Sequence, residues 1–258
     1  MQVKNSIYHL LISFKNALRL LFNGHFSVFY SEFNKRFYSE SISYGLKRDL
    51  NIPFEASPAK IKFSIRPLIE GDIKVILKVQ EPDVVNPRII ASQRAFIDAC
   101  IPTCYVAVTS QNEPCYMQWL VGNKHNDKIK AHFRGIFPTL KPQEALLEGA
   151  YANPEFRGLR IMPEAMTLIA EMASLINARW VITFVDVTNI PSLKGCHRSG
   201  FNPYVLRKDK WFLFSRSASF YPLPAELLEE YNLNIVDKPQ INLHSSIKKE
   251  KKRPHLQP

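Results

Sequence analysis

The chain has 258 residues, 46% of them apolar and 22% charged, an ordinary balance for a globular protein with a sizeable core. No apolar run approaches the roughly 18–20 residues that a membrane-spanning helix needs. The net charge of +11 does not mark a nucleic-acid-binding core, because it sits at the ends: residues 1–50 hold seven Lys/Arg against three acids, and residues 248–258 hold five against Glu250.

Cys100, Cys104, Cys115 and Cys196 are too few for a disulfide framework in a chain this long. The Cys100/Cys104 spacing lacks a second ligand pair, so no metal site is expected. No small-residue cleavage site follows the N-terminal apolar stretch, and the chain reads as cytoplasmic, with reduced thiols.

Residues 4–22 place Ile7, Leu10, Leu11, Phe14, Leu18 and Leu21 at helical spacing, and Phe26, Phe29, Tyr30, Phe33, Phe37 and Tyr38 repeat the pattern. Residues 1–50 are therefore expected to be a helical N-terminal extension. Its helices either dock on the domain, mediate oligomerisation, or lie at a membrane surface with residues 4–38 in the headgroup region. Residues 51–60, with two prolines, read as a linker. Ile61, Phe63 and Ile65 alternate with polar residues, predicting a strand over 61–67. Helices are expected over 71–80 and 87–99, then a hairpin of strands 104–109 and 115–121. Residues 123–142 show no assignable pattern. A strand over 145–152, a helix over 162–177, a strand over 180–187, a helix over 192–199 and a closing hairpin near 205–214 follow. The main domain is expected to span 61–215, followed by a C-terminal extension over 216–247, helical at 225–231, and a basic disordered tail over 248–258. This order predicts a mixed α/β or α+β architecture around one central sheet.

The segment carrying chemistry is Ala150-Tyr151-Ala152-Asn153-Pro154-Glu155-Phe156-Arg157-Gly158-Leu159-Arg160-Ile161. A strand runs through a short turn into a helix, whose N-terminal N–H groups and dipole attract phosphate. Gly158 permits close backbone approach, and Arg157 and Arg160 add positive charge. An ordinary tight turn would share these features.

Residues 152–158 resemble the V-x-P-x-(Y/F)-R-G run of the GNAT (N-acetyltransferase) superfamily. Downstream, Asn189, Ser192, Gly200 and Phe201 stand at the offsets where that family has an Asn, a small residue and Gly-Phe. The resemblance covers about 61–215. It implies an acyl-CoA-dependent N- or O-acyltransferase, using acetyl-CoA or another acyl-CoA and no metal, with a small-molecule or glycan-type acceptor. It also implies that strand 148–152 splays from its parallel neighbour, that pantetheine pairs with backbone at Ala150, Tyr151 and Ala152, and that pyrophosphate rests on the N–H groups of Arg157, Gly158, Leu159, Arg160, Ile161 and Met162. Asn189 and Ser192 would border the acyl end. Arg160 and Met162 depart from the family's (Q/R)-x-x-G-x-(G/A) loop, and Cys196 replaces a frequent Tyr that protonates the departing thiolate. Cys196 is thus a weak acid or a core residue, and His197 is a neighbouring acid candidate or a surface residue. Glu148 is the leading general-base candidate, with Glu144 and Asp186 as others, unless salt bridges hold them. The competing reading is a GNAT-like binding module without catalysis.

Overall fold

A computed structural model describes residues 26–76, 93, 96–97, 100–133 and 135–236. The helix expected over 4–22, most of that over 87–99 and the tail over 248–258 lie outside these residues.

The described chain opens with helix α1 (Phe26–Phe37) and passes directly into a twelve-residue strand, β1 (Tyr38–Asp49). The helical reading of residues 38–50 is corrected here. Ile42, Tyr44 and Leu46 alternate with Ser43, Gly45 and Lys47, a two-residue period that belongs to a strand. β1 lies inside the sheet, paired antiparallel with two neighbours, so it is part of the core rather than an appendage. The remaining elements are β2 (Phe63–Pro67), α2 (Glu70–Ile76), β3 (Cys104–Thr109), β4 (Pro114–Gly122), α3 (Asn126–Phe133) and β5 (Glu144–Ala152). Then come α4 (Ile161–Glu171), β6 (Trp180–Asp186), α5 (Ile190–His197), β7 (Asn202–Phe212), β8 (Ser215–Pro222) and α6 (Ala225–Asn234).

These strands form one mixed sheet of eight, in the order β2-β3-β4-β5-β6-β1-β7-β8. Among the described strands β5 and β6 pair in parallel and every other neighbour pair is antiparallel. The sheet continues past the expected boundary at residue 215, because β8 pairs along β7 from Phe212–Ser215 to Val205–Pro222. The patternless stretch 123–142 contains α3, whose buried Ile129 holds it to the sheet.

One face carries α4, α5 and α6, packed on Tyr44, Leu46, Leu120, Leu147 and Val181. The other carries α2, α3 and Phe96, packed on Val106, Met117, Trp119, Leu146 and Phe184. β1 is tied to the first layer by more than apolar contact. The Tyr44 hydroxyl donates to the Leu227 carbonyl at 2.9 Å, and the buried Arg48 donates to the Glu171 carboxylate at 2.9 Å. The linker is anchored too: Lys60 N–H donates to the Leu159 carbonyl at 2.8 Å, just before α4.

Leu46 is fully buried in β1. Leu46→Ala is expected to cost about 2–5 kcal/mol, the range for a truncated core leucine, as measured by urea unfolding. A loss below about 1 kcal/mol, typical of surface changes, would contradict the placement of β1 in the core.

Candidate active site

The sheet opens between β5 and β6. Their ladder runs through Glu144–Trp180, Ala145–Val181 and Leu146–Ile182 and goes no further. The cause lies on the opposite edge of β5, where the pairing with β4 slips between Trp119 and Met117. Gly149 sits at this slip with φ +68°, and a Cβ there would stand 2.7 Å from the Trp119 ring and 3.2 Å from Phe96. Only glycine meets both conditions. An extra residue in one strand bends it and increases its twist, which swings the end of β5 away from β6. Gln93 locks the bulge: its Nε2 donates to the Gly149 carbonyl at 2.6 Å, and its Oε1 accepts from Trp119 Nε1 at 2.9 Å.

Glu148 reaches into the opening. Its Oε1 accepts from the Phe184 backbone N–H at 2.7 Å and from the Thr183 hydroxyl at 3.4 Å, both on β6. The residue as a whole is only partly buried, yet its carboxyl lies deep. Burial pushes its pKa up to about 7; the charge of Arg207 and hydrogen bonds from Phe184, Gly149 and Thr183 oppose that rise. Arg207 is itself buried, donating to Asp209 at 3.0 Å and the Ile136 carbonyl at 3.2 Å, with its guanidinium 4.9 Å from the Phe184 ring centre. A carboxyl poised near neutrality at the fork of a sheet is suited to accepting a proton.

Beyond β5, the Asn153 side chain caps the turn Pro154–Phe156. Gly158 (φ +78°) and Arg160 (φ +58°) then lead into α4. The backbone N–H groups of Gly158, Leu159, Arg160 and Ile161 find no acceptor among the described residues. They stand at the positive end of the α4 dipole, with exposed Arg157 and Arg160 beside them. Ala150, Tyr151 and Ala152 form the far end of β5, with Tyr151 and Ala152 bonded to β4 and with no pairing to β6.

The other sequence candidates are distributed differently. Asn189 caps α5, its side chain accepting from Ser192 N–H at 3.3 Å, so this spacing has a local structural use. Asp186 is occupied by Thr188, accepting from its N–H at 2.9 Å and its hydroxyl at 2.6 Å. Glu144 lies at the paired end of β5 and bridges to Lys47 at 3.6 Å. Cys196 is fully buried, and burial first, then the Glu148 charge, pushes its thiol pKa far up. Such a thiol is a poor proton donor to a departing thiolate. His197 lines a cleft of about 560 Å³ at the opposite, paired end of the sheet, together with Lys47, Trp180 and Tyr204. Two cations of that cleft are already engaged, Lys47 with Glu144 and over the Trp180 ring, and Arg48 with Glu171. His197 is therefore not brought to the opening. Gln93 and Arg207 are the positions around the opening that sequence reading missed. Arg207-x-Asp209 in a strand was a usable sign, since two charges on one buried face require partners; Gln93 gave none.

No family model and no curated protein matches the sequence. Solved structures are similar in fold. A GCN5-related glucosamine N-acetyltransferase region of a fungal multi-domain GH3 β-N-acetylglucosaminidase is similar at TM-score 0.50 and 11% identity, covering 69% of this chain and 22% of that one. A GNAT-family acetyltransferase from Colwellia psychrerythraea is similar at TM-score 0.42 and 9% identity, covering 74% of this chain and 59% of that one. A GCN5-related N-acetyltransferase from Sphaerobacter thermophilus is similar at TM-score 0.42 and 14% identity, covering 69% and 55%. This is the GNAT fold. The chain thus spans under two thirds of the length of these three neighbours.

Within the GNAT fold, the two loop departures have visible consequences. Arg160 adopts a left-handed conformation that favours glycine, at a cost of about 1–2 kcal/mol. Met162 turns its thioether toward α5, where Gly195 leaves room: a Cβ at 195 would stand 2.8 Å from Met162 Sδ. The larger side chain is accommodated between the two helices.

The raised pKa of Glu148 makes stability pH-dependent. Its protonated form is favoured by folding, so the stabilisation is complete below the unfolded value of 4.5 and is lost as pH rises to about 7. Urea unfolding between these pH values should show wild type losing roughly 3 kcal/mol relative to Glu148→Gln. Parallel profiles for the two proteins would refute the buried carboxyl.

Proposed function

We propose that this chain is an acyl-CoA-dependent N- or O-acyltransferase, with acetyl-CoA as donor and an amine or hydroxyl as acceptor, acting on the cytoplasmic side. The observation carrying this reading is the Glu148 carboxyl, poised near neutral pH in the fork between β5 and β6. The N–H groups from Gly158 to Ile161 receive the pyrophosphate, and Arg157 and Arg160 add charge. The unpaired edge of Ala150–Ala152 bonds the pantetheine amides. Glu148 takes the proton from the attacking amine or hydroxyl, and a backbone N–H of the parted strand meets the oxyanion. The thiolate leaves without Cys196 as its acid and takes its proton from solvent or, through solvent, from the now protonated Glu148. The acceptor approaches from the α2/α3 face, where Lys124, Lys128 and Lys130 suit an anionic or glycan-type molecule. An amino sugar, the acceptor class named for the fungal neighbour, is the first to try.

Acetyl-CoA is expected to raise the melting midpoint, since a Kd of about 10 μM adds roughly 2.7 kcal/mol at hundredfold excess. Arg157→Ala should weaken binding by about tenfold, the value of one charge-assisted contact, read by calorimetry. With a turned-over acceptor, kcat should rise with pH through about 7. Glu148→Gln should lower it by about 10²–10⁴.

A second reading, a binding module without turnover, is favoured by Cys196, whose buried thiol is a poor proton donor, and by Arg160 and Met162 in the phosphate loop. Met162→Ala separates the two: in an active transferase it leaves acetyl-CoA affinity equal or higher. If neither wild type nor Met162→Ala is stabilised by millimolar acetyl-CoA, the transferase reading fails.

A further inference from the structure

The β7–β8 turn is built against its own residues. It consists of Leu213 and Phe214, both left-handed at φ +46° and +64°. Two positive φ values in a two-residue turn suit the twist of a hairpin, but they call for Asn-Gly or a similar pair. Bulky apolar side chains resist that conformation, and these two are 55% and 43% exposed. The turn backbone serves α1 locally. Leu213 N–H donates to the Phe37 carbonyl at 2.9 Å and Phe214 N–H to the Arg36 carbonyl at 2.8 Å, satisfying the end of that helix. Those two bonds need no apolar side chain. Phe214 touches Phe33 edge-on at 5.1 Å, and Phe33, Tyr30 and Phe37 of α1 are themselves exposed. Strain and apolar exposure coincide at one protruding tip, and neither is explained by the fold.

We propose that this tip docks on the surface of an anionic lipid bilayer, with Phe33, Phe37, Leu213 and Phe214 entering the interfacial region. Charge around the tip fits that occupant. Lys35 and Arg36 end α1, and beside Tyr38 two cations, Lys208 and Lys210, share the single acid Glu40, leaving a net positive charge. Aromatic side chains rimmed by Lys and Arg are suited to the headgroup boundary. The 25 residues that lead into α1 carry Lys4, Lys15 and Arg19, no acid, and apolar residues at helical spacing, so the sequence reaches the tip with the same character. Ser43 pairs with Asp186, the last residue of β6, and β1 extends five residues further to Tyr38. At about 3.3 Å per residue the tip stands roughly 17 Å beyond the open end of the fork. Docking turns that end toward the bilayer, although the docking surface stands whether or not the fork carries acyl transfer.

The test is co-sedimentation of the full-length chain with phosphatidylcholine vesicles, with and without phosphatidylserine. Wild type should partition onto the phosphatidylserine vesicles and be released by high salt. Leu213→Asn with Phe214→Gly installs a favoured turn, so the melting midpoint should hold or rise while partitioning falls about tenfold or more. If that double change disturbs folding, Phe33→Ser at an unchanged midpoint decides in its place. Equal partitioning of variant and wild type, or no wild-type binding to either vesicle, would overturn the proposal. So would a self-association that the tip variants abolish while vesicle binding is absent.

Discussion

The parting of β5 from β6 is the constraint on which the rest of the site depends. Two parallel strands that stop pairing after Leu146 leave backbone donors and acceptors facing a gap, and such groups are costly unless they find partners. The protein answers with side chains. Gln93 takes the Gly149 carbonyl, and Glu148 takes the Phe184 N–H. The bulge glycine, the glutamine behind it and the glutamate in front of it act as a unit. The gap is held open by bonds made on both sides of β5, while its outer end, at Ala150–Ala152, keeps an edge available to a ligand.

The same arrangement sets the acidity of Glu148. A carboxylate in direct contact with a guanidinium would stay fully ionised, but Arg207 is already committed to Asp209, the Ile136 carbonyl and Ser43. Its charge therefore acts on Glu148 only as a moderating influence, and burial prevails. Asp209 in turn is shared with Arg216 at 3.3 Å. Removing any member of this chain of buried charges would shift the balance at the fork, because each is neutralised by the next rather than by water.

β1 links the core to the exterior of the molecule. Its C-terminal half is buried between β6 and β7, while its N-terminal half emerges beside α1 and the β7–β8 turn. One continuous strand thus fixes the position of the exposed aromatic tip relative to the fork, without a flexible joint between them.

The sequence by itself determined the α/β class and the passage of a strand over 145–152 through a short turn at Gly158 into a helix near residue 162, because those features are local. It also singled out Glu148. It did not reveal β1, since aromatic residues at helical spacing over 26–38 ran into a short alternation whose only support is pairing with strands more than 130 residues away. Likewise Cys196 and His197 are adjacent in sequence, yet one enters the core behind the fork and the other faces a cleft at the far end of the sheet. Those outcomes depend on which strands become neighbours, and so does the acidity of Glu148. Its Phe184, Thr183 and Arg207 partners come from β6 and β7, and only the assembled sheet brings them to it.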